Sequence, residues 1–594
     1  MRYFLFLALV ASAFAQAPAA QTGASLYETR CATCHQQPVN ARIPSRADLA
    51  KLQPQQVVDA LEKGAMTAQA VGLTPAQIRS VAAFVGTAAA PVVSATATVN
   101  QCPASANKPF TPGPNDWSGW GLNNQNTRYQ ANPGLAAADV PKLKLKWAFG
   151  FPGDTRAVAQ PAIVGGRVFV GSHGGKVYSL DLATGCQYWS FNAGAIVRDG
   201  ITIARVTPTS NQWVAFFGDA AAFAYAVDAV TGQQLWKVKL DDYPVARITG
   251  TSVFHDGRLY VPMSSGEELA SGGANYVCCK FRGSLSALDA ATGRVIWKTY
   301  TIPDAAKVYK TNPQGREFWG PAGASIWSAP TIDIKRGRIY ASTGNSYTGV
   351  DVPTSDAVVA FDLRTGSMLW TKQVTAGDNW LPGCPRGPLC PEKPGDDYDL
   401  ASSPALVTVG GRDLIVVGQK SGALWGLDPD KNGDVVWQQK VGQGGGLMGG
   451  IMWGPAMDAQ TAYVGVADPG RQDGTPGLYA INMADGSRKW ISPPPAGPGN
   501  STAQPTAPSL IPGVVFSATF GGRLRAHQAA TGEVVWEYET NRPFETVNGV
   551  TAKGGAMDGA GPAIANGMVV MTSGMGFGGG VAGNVLLAFS VDGK

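Results

Sequence analysis

The sequence predicts an eight-bladed, all-β propeller behind a small all-α N-terminal domain. The first observation is a repeat. "LDLATGCQYW" ends at Trp189, "VDAVTGQQLW" at Trp236, "LDAATGRVIW" at Trp297 and "FDLRTGSMLW" at Trp370; looser copies end at Trp437, Trp490 and Trp536. Each reads as a strand, a Thr-Gly or similar turn, and a strand bearing Trp, and Trp147 in "KLKLKW" makes an eighth. Secondly, the runs between them are short, rich in Val, Ile and Tyr, and punctuated by Gly-Arg, Asp-Gly and Gly-Gly turns. The third observation is a change of texture upstream, where residues 45–86 carry apolar residues three and four apart.

Taken in order, "MRYFLFLALVASAFAQA" has a basic residue, an apolar run and a small-x-small site, and predicts a signal peptide (1–15) cleaved after Ala15. The expectation is a soluble periplasmic protein in which disulfides are permitted. No later stretch reaches about 18 apolar residues, so no membrane span is expected. Residues 16–90 are assigned to the helical domain. "SRADLAKL", "QPQQVVDALEKG" and "LTPAQIRSVAAFVG" each open on a Ser, Pro or Thr start signal. Residues 91–115 have linker composition, and 116–594 form the repeat region. A unit of about 50 residues with four strands is a propeller blade, and blades close into a ring because one alone cannot bury both faces. "KLKLKW" lacks the strands that should precede it, and the final "GNVLLAFSVDG" lacks the Trp strand that should follow. The two ends are therefore expected to share one blade; seven blades is the alternative count. Charged residues make up 15% and the net charge is +5, with no Lys/Arg block, so nothing points to nucleic acid.

"CATCH" (Cys31–His35) has the spacing of a covalent haem c site: two thiols for thioethers and an adjacent His for iron. A zinc site would need more ligands nearby, and the other histidines (His173, His255, His527) are distant. Met66 in "EKGAMTAQ" is the expected sixth ligand, since a thioether raises the potential and suits electron acceptance. The segment resembles a class I cytochrome c.

The Asp-x-x-Thr-Gly-x-x-x-Trp repeats over about 116–594 resemble the PQQ-dependent quinoprotein dehydrogenases, an eight-bladed family. What that resemblance implies is taken segment by segment. "SSGEEL" implies Glu268 as a calcium ligand, with Glu267 as the alternative. "GASIWSAP" implies Trp327 under the quinone, with Ser325 nearby. "YASTGNSYT" implies Asn345 on calcium. "PGDDYDLASSP" implies Asp399 as both calcium ligand and catalytic base. "VVGQKSGALWGLD" implies Lys420 over the quinone carbonyls. "GGIMWGPAMD" offers Trp453 as a wall, and "ARITGT" offers Thr249. The residue types fit the chemistry: a planar quinone wants an aromatic floor and a cation, and calcium wants hard oxygens. The position two residues after Asp399, which carries an extra Asp in related lanthanide enzymes, is Ala401 here, in favour of calcium.

An N-terminal cytochrome joined to such a propeller, with "CCKFRG" and "GCPRGPLCPEKPGDDYD", resembles the polyvinyl alcohol dehydrogenases of that family. It implies a secondary alcohol substrate, polymeric by resemblance, and an external electron acceptor such as a cytochrome c. The alternatives are small alcohols as substrate, or a non-catalytic scaffold propeller carrying an electron-transfer cytochrome. Of eight cysteines, the six outside the haem motif suggest three bridges: Cys384–Cys390, Cys102–Cys186 and the adjacent pair Cys278–Cys279. The family's methanol dehydrogenases hold a ring of adjacent cysteines against the quinone. By that likeness Cys278 and Cys279, with Arg282 three residues on, are expected on the cofactor face opposite Trp327.

Overall fold

The computed structural model describes residues 23–36, 44–86, 100–103 and 110–594, apart from residues 63, 65, 68, 71, 72, 208, 273–275, 314, 388, 470–475 and 496–498. The signal peptide and much of the linker lie outside the described residues. The chain divides into two units, Met1–Ala95 and Thr96–Lys594.

In the first unit the described residues form helices Gly23–Arg30, Ala32–His35, Arg46–Leu49, Pro54–Glu62 and Pro75–Val85. Two start as the sequence indicates. Ser45 and Asp48 form a capping box, as do Thr74 and Gln77, the latter with Pro75 at the first helical position. Leu26, Tyr27, Val57, Leu61, Val81 and Ala82 are buried between the helices. The first two helices were not legible in the apolar spacing.

The second unit is a ring of eight antiparallel sheets. Blades 1 to 7 span residues 162–192, 202–239, 246–300, 331–373, 405–440, 456–492 and 509–539. Blade 8 joins the two ends of the unit: Leu143–Gly150 pairs with Ala582–Val591, which continues to Met568–Met575 and Ala563–Ala565. The expected sharing of one blade is therefore observed, with Trp147 opposite Ala588.

The repeat has a direct structural cause. In the turn between the third and fourth strands, the Asp carboxylate accepts the Thr amide and hydroxyl, as Asp362 does from Thr365 at 2.7 and 2.8 Å. The next residue, Gly366, adopts φ +75°, and a Cβ there would lie 2.4 Å from the Trp297 ring of the preceding blade. The indole then donates to a carbonyl of that same turn, Trp297 Nε1 to Arg364 at 3.0 Å. Trp147, Trp189, Trp236, Trp437 and Trp490 repeat this docking on the next blade. Trp536 docks on Leu143 and closes the ring. Trp370 departs from the pattern. Its neighbour turn is lengthened to "DPDKNG", forms a short 3-10 helix, and leaves Trp370 Nε1 without a partner.

Antiparallel strand order decides where function collects. The loop entering a blade's first strand and the loop leaving its second lie at one end of the ring, while the Thr-Gly turns lie at the other. Trp327, Asp399, Trp453 and Asp558 precede first strands, and Thr249 lies between Ala246–Arg247 and Val253–His255, the two short segments that pair with blade 3's second strand. Glu268, Asn345 and Lys420 follow second strands. All eight therefore share one face. The central channel is crossed by residues 117–133, which bond to the blades in order. Trp117 N donates to Ile163, Gly119 N to Ile201 and Asn124 Nδ2 to Phe254. Ile332, Leu406, Met457, Leu510 and Gly567 then donate back to Asn124, Gln125, Thr127, Arg128 and Pro133.

Candidate active site

Two adjoining regions make up the site. The first is a chamber lined by Trp327, Trp453, Trp120, Arg198, Thr249 and Asp558, among others. Trp327 and Trp453 meet edge to face, centroids 5.1 Å apart. Trp453 Nε1 donates to Asp558 at 2.6 Å, and the Arg198 guanidinium lies 5.2 Å from the Trp453 ring. Thr249 Oγ1 lies 2.7 Å from Ser264 Oγ. Trp120 comes from the channel-crossing segment, where Arg128 stacks on it at 4.9 Å. Arg247 is half-buried close by, its Nε buried and unpartnered, and desolvation with Arg198 nearby lowers it to about 10.

The second region is a buried cluster in which Glu268, Asp356, Asp378, Asp397 and Asp399 surround Lys420. Lys420 Nζ donates to Asp397 and, at 3.3 Å, to Asp399 Oδ2. Asn345 N donates to Asp399 Oδ1 at 2.7 Å. Asp378 holds the loop, accepting from Trp380 N, Asp397 N and Tyr398 N. Burial pushes Asp397 up to about 7 against the pull of Lys420, and burial with Asp397 and Asp399 pushes Glu268 well above the usual carboxylate range. Burial alone would lower Lys420; Asp397, Asp399 and Glu268 outweigh it and hold the amine protonated. Gly344 joins the two regions. A Cβ there would lie 2.7 Å from Asp399 Oδ1 and 3.3 Å from Trp327 Nε1.

The structure brings several of the residues singled out in the sequence together: Thr249, Trp327 and Trp453 line the chamber, and Asp399, Lys420, Asn345 and Glu268 lie close to one another. Other placements differ. The Ser325 hydroxyl pairs with Tyr347 OH at 2.8 Å, and Ser328 lines the chamber instead. Arg282 turns away: its guanidinium lies 4.0 Å over Tyr300 and donates to Ile302 and Pro303. The Cys278–Cys279 bridge forms, but its buried ring packs with Phe281, Ala322, Leu381 and Leu389 and is not part of the chamber lining. The reason is Glu267. Its carboxylate accepts Lys280 N, Phe281 N, Tyr243 OH and Tyr276 OH, which fastens the loop that carries the bridge. That also separates the adjacent glutamates: Glu267 is saturated, while Glu268 Oε1 is buried and unpartnered. The Cys102–Cys186 and Cys384–Cys390 bridges form as expected.

Sequence reasoning missed Arg198, Arg247, Asp378, Asp397 and Asp558. Asp397 adopts a left-handed φ of +63°, so the alternation of an extended strand gives no signal that it accompanies Asp399.

Comparison with known proteins now bears on this geometry. Residues 117–441 match the family model "Glucose/ethanol/alcohol dehydrogenase, beta-propeller domain". The chain is 43% identical to a polyvinylalcohol dehydrogenase of Pseudomonas sp, over 96% of this chain and 94% of that one. The chain belongs to the polyvinyl alcohol dehydrogenase group of PQQ-dependent dehydrogenases. A Sphingopyxis sp. relative of the same name is 39% identical over 96% of this chain and 93% of its own. Residues 18–85 match a cytochrome c oxidase cbb3-type subunit III model, so the group's propeller is joined here to a cytochrome c domain. Its cofactors are accordingly PQQ and haem c. Residues 354–577 also match a model of outer membrane protein assembly factor BamB. The crystal structure of quinohemoprotein alcohol dehydrogenase from Comamonas testosteroni shares the fold, with a TM-score of 0.60, 20% identity and 85% of each chain covered.

The haem motif has fitting surroundings. His35 is buried and its Nδ1 lies 2.8 Å from the Pro44 carbonyl, an arrangement that would leave Nε2 to an iron. Cys31 and Met66 abut the same helical core; the Cys34 side chain lies outside those described. Among the described residues no helix is long and apolar enough to cross a membrane.

Proposed function

We propose that the chain is a periplasmic quinohaemoprotein dehydrogenase that oxidises secondary alcohol groups, those of polyvinyl alcohol included, to ketones. Electrons would pass from PQQ to haem c and on to an external acceptor. The observation that carries this reading is the carboxylate–lysine cluster beside an aromatic chamber with half-buried guanidinium groups. In a scaffold propeller such a cluster would be cost without return, because buried unpaired charges destabilise. Its chemistry fits PQQ and calcium. The unpartnered oxygens of Glu268 and Asp397, in a cluster rich in carboxylates, suit a hard cation such as calcium, held by Glu268, Asn345 and Asp399. The guanidiniums of Arg198 and Arg247 and the Thr249 hydroxyl suit a polycarboxylate against Trp327. We read residues 16–90 as an all-α class I cytochrome c with Cys31, Cys34 and His35 on the haem and Met66 as sixth ligand, behind a signal peptide of 15 residues and ahead of a linker (91–115) and the propeller (116–594).

Bound there, PQQ would supply the two-electron acceptor, calcium the Lewis acid and haem the one-electron relay. The chain's own part is proton handling and orientation. Asp399 Oδ1 is engaged by the Asn345 amide and Oδ2 by the longer contact to Lys420, so Oδ2 is the better placed to accept the hydroxyl proton. Lys420, kept charged by its neighbours, stabilises negative charge on oxygen. The experiment is direct: the full chain with PQQ and calcium should reduce its haem when a secondary alcohol is added, and Asp399→Ala should not. Haem that stays oxidised with every alcohol would refute the reading.

A further inference from the structure

We infer that the inserted segment following blade 4 forms a binding cleft for the chain of a polymeric substrate on either side of its reacting carbinol; the inference rests on the alcohol dehydrogenase reading. A cavity of about 380 Å³ lies beside the carboxylate cluster. Its walls are Trp380, Tyr398, Asp396 and Cys384, and its floor is the backbone of Gly445 and Gly446. That volume is in the range of small-ligand sites and is separate from the chamber lined by Trp327.

The cleft shares its wall with the reacting site. Asp397 and Asp399 both reach Lys420, while Tyr398 between them lines the cleft. Its Cα is about 3.8 Å from those of both carboxylates' residues. The floor is fastened to the same residues: Gly445 N donates to the Lys420 carbonyl at 3.0 Å and Gly446 N to Asp396 at 2.9 Å. The Trp380 carbonyl holds the Asn345 side-chain amide at 2.8 Å, and the Cys384–Cys390 bridge closes the insert upon itself. Thus a substrate segment held against Trp380 and Tyr398 is registered to Asp399 through one or two peptide units.

The lining also selects a chemistry. Two aromatic side chains offer surface to CH and CH₂ groups, while Asp396 and glycine backbone groups offer partners for hydroxyls. A neutral chain alternating CH₂ with carbinol carbons matches both. A polyanion would face Asp396.

The test measures binding of polyvinyl alcohol oligomers to the full chain by calorimetry, and turnover by haem reduction. Trp380→Ala, which keeps the backbone carbonyl that holds Asn345, should weaken oligomer binding at least tenfold. It should also raise the ratio of KM for the polymer to KM for 2-propanol at least tenfold, and Trp380→Phe should recover most of both. Oligomer binding unaltered in Trp380→Ala, or absent in the wild type, overturns the inference. Were the wild type to bind oligomers through Trp380 yet reduce no haem with any alcohol, the cleft would stand and the dehydrogenase reading would fall.

Discussion

Replacing Gly344 by alanine should disable the site while leaving the fold intact. The glycine is not there for backbone freedom, because its φ lies outside the left-handed range. It is there for space. A Cβ would sit 2.7 Å from Asp399 Oδ1, against ordinary contact from 3.4 Å, so something must move by about 0.7 Å. The backbone cannot retreat easily: Gly344 N donates to Ser325 at 2.9 Å and its carbonyl accepts from Asp356 N at 3.1 Å. Trp327 Nε1 closes the other side at 3.3 Å. The carboxylate therefore gives way, stretching its 2.7 Å bond from Asn345 N. Overpacking of this kind costs about 1–3 kcal/mol. A displacement approaching 1 Å at a reacting group costs about 100-fold in rate. With PQQ and calcium supplied and a secondary alcohol saturating, haem reduction should slow by about two orders of magnitude, with a melting temperature lowered by only a few degrees. A kcat within threefold of wild type would refute the placement of Asp399 as the base.

The adjacent glutamates should separate cleanly. Glu267→Ala strips the acceptor from two amides and two tyrosines and should cost at least about 3 kcal/mol in denaturant unfolding; Glu268→Gln should leave the unloaded protein as stable as wild type but abolish calcium-induced protection against heat. Gly366→Ala should destabilise by about 1–2 kcal/mol for its left-handed φ and a further ~1–3 kcal/mol for displacing Trp297, whereas Gly410→Ala, with φ +57° and nothing within 4 Å, should show only the first cost, as paired denaturant melts will report. Burial and nearby Arg525 hold His527 down at about 3 from an ordinary 6.5. Its neutral form is favoured on folding, so its contribution is intact above pH 6.5 and declines as pH falls towards 3. Stability should be about 2 kcal/mol lower at pH 5 than at pH 8, a loss that His527→Gln does not share.

What the sequence determined by itself is whatever repeats locally. Blade number and the shared closing blade follow from the Asp, Thr-Gly and Trp positions, because each turn makes its contacts within ten residues and to one neighbouring blade. The capping boxes at Ser45 and Thr74 and the Cys31–His35 motif are equally local. Only the tertiary structure sets Glu267 apart from Glu268, because a short helix turns adjacent residues to different sides and the loop from Lys280 to Phe281 claims one of them. It also packed the Cys278–Cys279 ring among Phe281, Ala322, Leu381 and Leu389 and turned Arg282 onto Tyr300. The channel-crossing stretch "WGLNNQNTRYQ" shows no apolar period, since its partners are backbone groups of successive blades hundreds of residues apart. Arg198 and Arg247 were invisible for the same reason: a half-buried cation is defined by what surrounds it, and here the surroundings come from loops of many blades meeting on one face.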